Sequence, residues 1–90
     1  MKISKEKRDK IAEQILSLLF HSFPKQFFTA EIAKEIARDE EFVKSLMFDL
    51  KEKNLVVIIK KNENGQMFIR RLRWQLTPEA YQVYQSKTRA

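Results

Sequence analysis

A chain of 90 residues that is 43% hydrophobic and 11% aromatic is long enough for one domain with a modest core, and it is too apolar to be intrinsically disordered. It has no cysteine and one histidine, which excludes disulfides, cysteine-based metal sites and histidine-rich metal clusters. The net charge of +6 favours an anionic partner, with nucleic acid first and an acidic membrane surface second; the alternative is a basic surface without such a partner.

The basic N-terminus does not have the pattern of a targeting signal. Acidic residues interrupt its lysines, the apolar runs that follow are only a few residues long, and no small-residue cleavage site comes after them. No stretch is long and apolar enough to span a bilayer. We therefore expect neither a signal peptide nor a membrane span, and a cytoplasmic location.

A first helix is predicted over residues 5–22, with Ser4 as its N-cap. Its apolar residues are Ile11, Ala12, Ile15, Leu16, Leu18, Leu19 and Phe23. That arc is wider than one contact surface needs, which is typical of a helix that touches both its own domain and a second subunit. Pro24 ends the helix, because the residue before a proline disfavours helical backbone angles.

The next segment predicts a short strand and a second helix. Phe27 and Phe28 are expected to form the strand, and Thr29 is expected to be the N-cap of a helix over residues 30–38. The residues of this helix that face inward are Ile32, Ala33 and Ile36.

A third helix is predicted over about residues 39–53. Asp39 is expected to be its N-cap, and Glu40 and Glu41 in the first turn interact favourably with the helix dipole. The core-facing stripe consists of Val43, Leu46, Met47 and Leu50. Asn54 tolerates the left-handed conformation that follows many helices, so we expect the helix to end there.

Phe48 is predicted to lie off this core stripe, at about 140° from Val43 on a helical wheel. Three interpretations are open. The ring contacts thymine methyl groups of DNA, fills a pocket in a protein partner, or folds back onto a neighbouring side chain.

Residues 55–76 predict a β-hairpin. Residues 55–59 are all apolar and mostly β-branched, and Asn64-Gly65 is the strongest short-range hairpin signal. A second strand is expected from about residue 66 to residue 76. With a four-residue loop, Ile58 lies opposite Ile69 on the outward face. Leu72, Trp74 and Leu76 are expected to face the core, and Arg71 and Arg73 to face outward.

The last helix is predicted to begin at Thr77-Pro78-Glu79, where a cap, a first-turn proline and a favourable acid coincide, and to run to about Ser86. Its two tyrosines, Tyr81 and Tyr84, either pack onto the first helix or form a subunit interface. Residues 1–4 and 87–90 are expected to be frayed tails.

Residues 28–84 resemble the winged helix-turn-helix proteins. Asn54-Leu55-Val56 is similar to the Gly-Leu-Val that opens the wing in that family, and Leu76-Thr77 begins a segment similar to the Leu-Thr-x-x that closes it in MarR-like and PadR-like regulators. The helix-turn-helix spacing is carried by Ala33, Ile36, Ala37, Asp39 and Val43, with Ala37 as the small residue of the turn.

The resemblance implies an α+β winged helix-turn-helix fold in one domain over residues 1–90. It has a three-helix core, a β-hairpin wing and a C-terminal helix, in the order α-(β)-α-α-β-β-α. The sequence departs from the family at Arg38, where an apolar residue is usual, and at residues 39–42, where three acids replace Ser, Thr or basic residues.

The resemblance also implies a DNA-binding protein, most simply a small transcriptional regulator whose partner is double-stranded DNA. The third helix would dock in the major groove through Lys44, Ser45 and Lys51. A basic wing over residues 60–73 would contact backbone phosphates or bind in the minor groove, through Lys60, Lys61, Arg70, Arg71 and Arg73. A homodimer through the outer faces of the first and last helices is expected.

The alternative is a winged helix that serves as a protein-protein interaction module within a larger complex, using Phe48 and the outer hairpin face. No nucleophile elbow, glycine-rich phosphate loop or metal-ligand spacing is found, so we expect no enzyme, no cofactor and no metal. Asp49 and Glu52, with lysines at 51 and 53, have the pattern of a solvated helix face.

Overall fold

A computed structural model describes residues 4–59 and 72–88 of the chain. Within these residues the elements are α1 (Lys5–Ser22), β1 (Phe27–Phe28), α2 (Thr29–Ile36), α3 (Glu40–Glu52), β2 (Val56–Ile59), β3 (Arg73–Leu76) and α4 (Pro78–Thr88). The order and the α+β class are those predicted. No helix in the described ranges combines the length and the apolar character needed to cross a bilayer.

The bounds and the cap of α1 confirm the prediction. The Ser4 hydroxyl accepts a hydrogen bond of 3.3 Å from the backbone N–H of Lys7, in the first turn. The residues that the helix buries are Ile11, Ile15, Leu16 and Leu19. Their spacing places them on one face, which packs on α2, α3 and the sheet.

The predicted start and end of α2 were wrong. The helix includes Thr29, and its N-cap is Phe28, whose backbone N–H donates to the Glu31 carboxylate at 2.8 Å. Thr29 is buried instead, and its hydroxyl accepts a hydrogen bond of 2.8 Å from the indole N–H of Trp74. The helix ends at Ile36 rather than residue 38, because Ala37 adopts a left-handed conformation with φ of 55°. That residue makes the sharp turn into α3.

The predicted ends of α3 are confirmed. The Asp39 carboxylate accepts a hydrogen bond of 3.1 Å from the backbone N–H of Phe42. At the other end Asn54 has a φ of 61°, and the N–H of Leu55 reaches back to the carbonyl of Leu50 at 3.0 Å. The predicted stripe is buried: Val43, Leu46, Met47 and Leu50.

The sheet has the order β1-β3-β2, with antiparallel neighbours, so β3 is the central strand. Trp74 and Leu76 face the core as predicted. The expected pairing of Ile58 with Ile69 was wrong, because Ile58 lies opposite Trp74 and packs against the core. The exposed apolar residue of β2 is Val57, at 38%. Ile69 and the predicted Asn64-Gly65 turn lie outside the described residues.

The start of α4 is tied to the end of α3. The Thr77 hydroxyl accepts from the N–H of Ala80 at 3.1 Å, as expected of a cap, and donates to the carbonyl of Asn54 at 3.0 Å. The helix extends to Thr88, two residues beyond the predicted end. Trp74 is fully buried near the centre of the core that α1, α2, α3 and the sheet enclose.

Candidate nucleic-acid interface

The outer face of α3 is the exposed surface that the fold presents opposite its buried stripe. Lys44, Ser45 and Lys51, three of the predicted site residues, are exposed there, and so is Phe48. Positions 44, 48 and 51 are four and three residues apart, so they follow one another along one side of the helix. The structure therefore places two cations on this face, on either side of an aromatic ring.

Phe48 is 40% exposed and rests on the core at the same time. Its ring meets the Trp74 ring edge to face, with the centroids 5.3 Å apart and the planes at 87°. Trp74 is held in turn by its hydrogen bond to Thr29. The interpretation that Phe48 folds back is thus confirmed, although two fifths of the residue stay in solvent and available to a partner.

Ser45 lies in a cluster that the sequence did not reveal. One guanidinium nitrogen of Arg8, in the first turns of α1, donates to the Ser45 hydroxyl at 2.9 Å and forms an ion pair with the Asp49 carboxylate. The same guanidinium lies 5.6 Å from the centroid of the Phe42 ring. Asp49 and Glu52 are exposed, as predicted for a solvated face, and Asp49 is in addition bound by a cation from another helix.

Of the three acidic residues at the start of α3, Asp39 has the capping role that was predicted. Asp39 caps the helix through Phe42, whereas Glu40 and Glu41 are exposed in the first turn. The first turn of α3 therefore carries two exposed carboxylates and no cation, and Lys44 begins the next turn. Any polyanion that approaches this face meets the more favourable field beyond the first turn.

Arg73 lies on β3, opposite Phe28 of β1 and Ile59 of β2. Its side chain has the outward parity that was predicted, and its guanidinium lies 4.6 Å from the centroid of the Phe28 ring, within the range of a cation–π contact. The cation is thereby held against the outer face of the sheet. The other predicted wing cations, Lys60, Lys61, Arg70 and Arg71, lie outside the described residues.

A second surface lies beside α4. A cavity of about 540 Å³ opens between α1, α4 and the turn after α3, with Leu16 and Val83 in its apolar wall. The Tyr84 hydroxyl donates to the Glu13 carboxylate at this cavity; burial, together with the charge and hydrogen bond of Glu13, raises the pKa of Tyr84.

Within the described ranges, no three His, Cys, Asp or Glu side chains are grouped so that they could hold a metal ion.

Comparison with known proteins supports the fold. No protein-family model and no curated protein matches the sequence. Among solved structures, the chain is similar to S. aureus MepR in complex with DNA, at 21% identity over 92% of this chain with a TM-score of 0.73. It is also similar to an apo mutant of Lactococcus lactis ZitR, at 24% identity over 91% of this chain with a TM-score of 0.70.

A third match is the Zalpha domain of Carassius auratus PKZ in complex with Z-DNA, at 22% identity over 79% of this chain with a TM-score of 0.61. The chain spans 57% of the ZitR chain, 65% of the MepR chain and 98% of the Zalpha domain. With these likenesses and the observed order of elements, the chain has the winged helix-turn-helix fold that its sequence predicted.

Proposed function

We propose that this protein binds double-stranded DNA through the outer face of α3 and acts as a small transcriptional regulator. The observation that carries the proposal is the placement of Lys44 and Lys51, both exposed, on either side of the exposed Phe48 ring. A helix of 13 residues is about 20 Å long and fits the major groove, which is about 12 Å wide. Two of the matched structures hold DNA, as a MepR complex and as a Zalpha domain on Z-DNA.

The acidic first turn determines how α3 docks in this proposal. Glu40 and Glu41 would repel phosphates if the helix entered the groove by its first turn, as many DNA-reading helices do. We therefore propose that the second and third turns, from Lys44 to Lys51, lie deepest in the groove. Arg73 and the remaining wing cations, Lys60, Lys61, Arg70 and Arg71, would then contact phosphates beside it.

The test is a fluorescence-anisotropy titration of a mixed-sequence duplex and of an alternating C-G duplex held in the left-handed form. Five to eight phosphate contacts predict a slope of log affinity against log salt of about −4 to −7. The double variant Lys44→Ala/Lys51→Ala is expected to bind roughly tenfold or more weakly near 0.1 M salt, and to lower the magnitude of that slope by about 2.

The matched control is Lys25→Ala/Lys34→Ala, which removes the same charge from exposed positions before β1 and on α2. It is expected to retain most of the affinity. Equal losses in the two double variants would reject α3 as the contact surface. A wild-type chain that binds neither duplex at micromolar protein and low salt would reject the function itself.

The proposed regulator acts as a homodimer through the outer faces of α1 and α4, because two linked half-site contacts reinforce each other through effective concentration. Val83 on α4 is 54% exposed and supports such a contact. Sedimentation equilibrium is expected to give a dimer, and a monomer at high concentration would reject it.

A second candidate function is docking of a protein partner within a larger complex. The observations in its favour are two exposed apolar side chains, Phe48 at 40% and Val57 at 38%. The sequence had suggested the pair Ile58 and Ile69 as the outward apolar surface. Because Ile58 packs against the core, Val57 is the exposed apolar residue of β2 in this candidate function. Absence of DNA binding in the titration above would favour this function.

A further inference from the structure

We infer that Arg8 is a positioning residue of the proposed DNA-binding face: it neutralises Asp49 and holds Ser45, so that one carboxylate fewer opposes the lysines of α3. The inference rests on the proposed function, because it concerns how that face is prepared for a polyanion. Arg8 itself lies on α1, outside the predicted set of DNA contacts.

One guanidinium connects two helices that are far apart in sequence. Arg8 contacts Phe42, Ser45 and Asp49, which lie at intervals of three and four residues and therefore follow one stripe along α3. Both hydrogen bonds, to Ser45 and to Asp49, come from the same terminal nitrogen. Arg8 thus fixes the face of α3 that neighbours Lys44 and Phe48.

The charge of Asp49 makes this contact matter for binding. Its side chain is 55% exposed and lies one turn beyond Ser45, a predicted DNA contact, so a bare carboxylate there would lie close to the phosphates. Two like charges 4 Å apart in water interact strongly enough to change a binding constant about fivefold. Paired with Arg8, Asp49 contributes no net charge to the face.

The geometry favours positioning over direct phosphate contact. The Arg8 side chain is only 29% exposed, and one of its two terminal nitrogens donates to two groups of α3. A phosphate that took over this nitrogen would displace Asp49 and meet that carboxylate unpaired. DNA binding is therefore expected to be stronger with the Arg8–Asp49 ion pair intact than with it broken.

The test is the same anisotropy titration with Arg8→Ala, Asp49→Asn and the double variant Arg8→Ala/Asp49→Asn. Arg8→Ala is expected to weaken binding about fivefold, because Asp49 becomes unopposed. Asp49→Asn alone is expected not to weaken it. The double variant is expected to recover the wild-type Kd within about twofold, because it restores the net charge of the intact pair.

Three results would overturn the inference. If Arg8→Ala leaves the Kd unchanged, the ion pair has no role in binding. If the double variant binds as weakly as Arg8→Ala and its salt slope is smaller by about one contact, Arg8 touches phosphate directly. If the double variant stays weak with an unchanged slope, Arg8 has only a structural role, which Asp49→Asn does not repair.

Folding is controlled in the same series. Thermal melts followed by circular dichroism identify the temperature range in which each variant is folded, and Arg8→Gln, which keeps much of the side-chain length, replaces Arg8→Ala if the latter does not fold. A wild-type chain that binds neither duplex overturns this inference together with the proposed function. A wild-type chain that binds, with an Arg8 variant of equal Kd, overturns the inference alone.

Discussion

The helices α3 and α4 are attached to the molecule in different ways. The first buries four side chains of a continuous apolar stripe and is capped at its start by Asp39. The second buries Ala80 and otherwise contacts α1 through half-buried tyrosines. A helix held along its whole length can offer its other face to a partner without moving, whereas α4 is held along one edge and leaves Val83 exposed.

The contact of α4 with α1 and its C-cap Phe23 includes three pairs of aromatic rings. The Tyr81 ring stacks on Phe23 with centroids 4.3 Å apart and lies 5.1 Å from Phe20, and Tyr84 lies 5.6 Å from Phe20. Such pairs contribute about 0.5–1.5 kcal/mol each beyond their buried area. This confirms the expectation that the tyrosines pack on the first helix, and it leaves the subunit interface as a proposal.

The largest expected difference comes from truncating one apolar residue on each helix. Leu46→Ala on α3 is expected to lower the free energy of unfolding by about 2–5 kcal/mol, because it leaves a cavity in the core. Val83→Ala on α4 is expected to change the unfolding free energy of the monomer by no more than about 0.5 kcal/mol, because that side chain is exposed in the single chain. Urea unfolding followed by circular dichroism, at a protein concentration low enough to keep the chain monomeric, measures both, and similar losses would contradict the contrast between the two helices.

A smaller effect is expected at the capped start of α3. Asp39→Ala removes the acceptor for the Phe42 N–H and is expected to cost about 1 kcal/mol of unfolding free energy. Asp39→Asn keeps a capping oxygen and is expected to retain most of the stability, while it removes one negative charge beside the proposed DNA face. The same urea titration decides, and an Asn variant as unstable as the Ala variant would show that the charge, not the cap, stabilises the helix.

The smallest effect concerns the pH dependence of the α4 attachment. The pKa of Tyr84 is raised from its ordinary value of 10.0, so the folded chain keeps this proton to higher pH than the unfolded chain. The stability that this contributes is complete below pH 10.0 and is lost as the pH rises through the folded pKa. Tyr84→Phe lacks this component. Its unfolding free energy is expected to fall less steeply than that of the wild type above pH 10.0, and parallel curves would contradict the prediction.

Local signals in the sequence were sufficient for most of the fold. Caps at Ser4, Asp39 and Thr77, and the left-handed residue Asn54, are properties of short segments, and all four are confirmed. The stripe of α3 was equally predictable, because helical spacing alone determines which of its residues share a face.

The features that the sequence did not reveal depend on partners far along the chain or on backbone geometry that composition does not encode. Thr29 was expected to cap a helix, but its buried hydroxyl accepts a hydrogen bond from the indole N–H of Trp74, 45 residues away. Ala37 matches the small turn residue of the helix-turn-helix resemblance, but its high helix propensity did not predict its left-handed conformation. The two residues that Arg8 bonds at the candidate site are 37 and 41 positions away in the sequence, so no local sequence pattern predicts these contacts.

The edge-to-face contact between Phe48 and Trp74 gives the protein an optical reporter of its own. Trp74 is the single tryptophan of the sequence, it is fully buried, and its neighbour Phe48 reaches the proposed binding face. A partner that displaces the Phe48 ring changes the surroundings of the one indole whose emission is measured. Association at α3 is therefore expected to be visible as a shift in intrinsic fluorescence, without any attached dye.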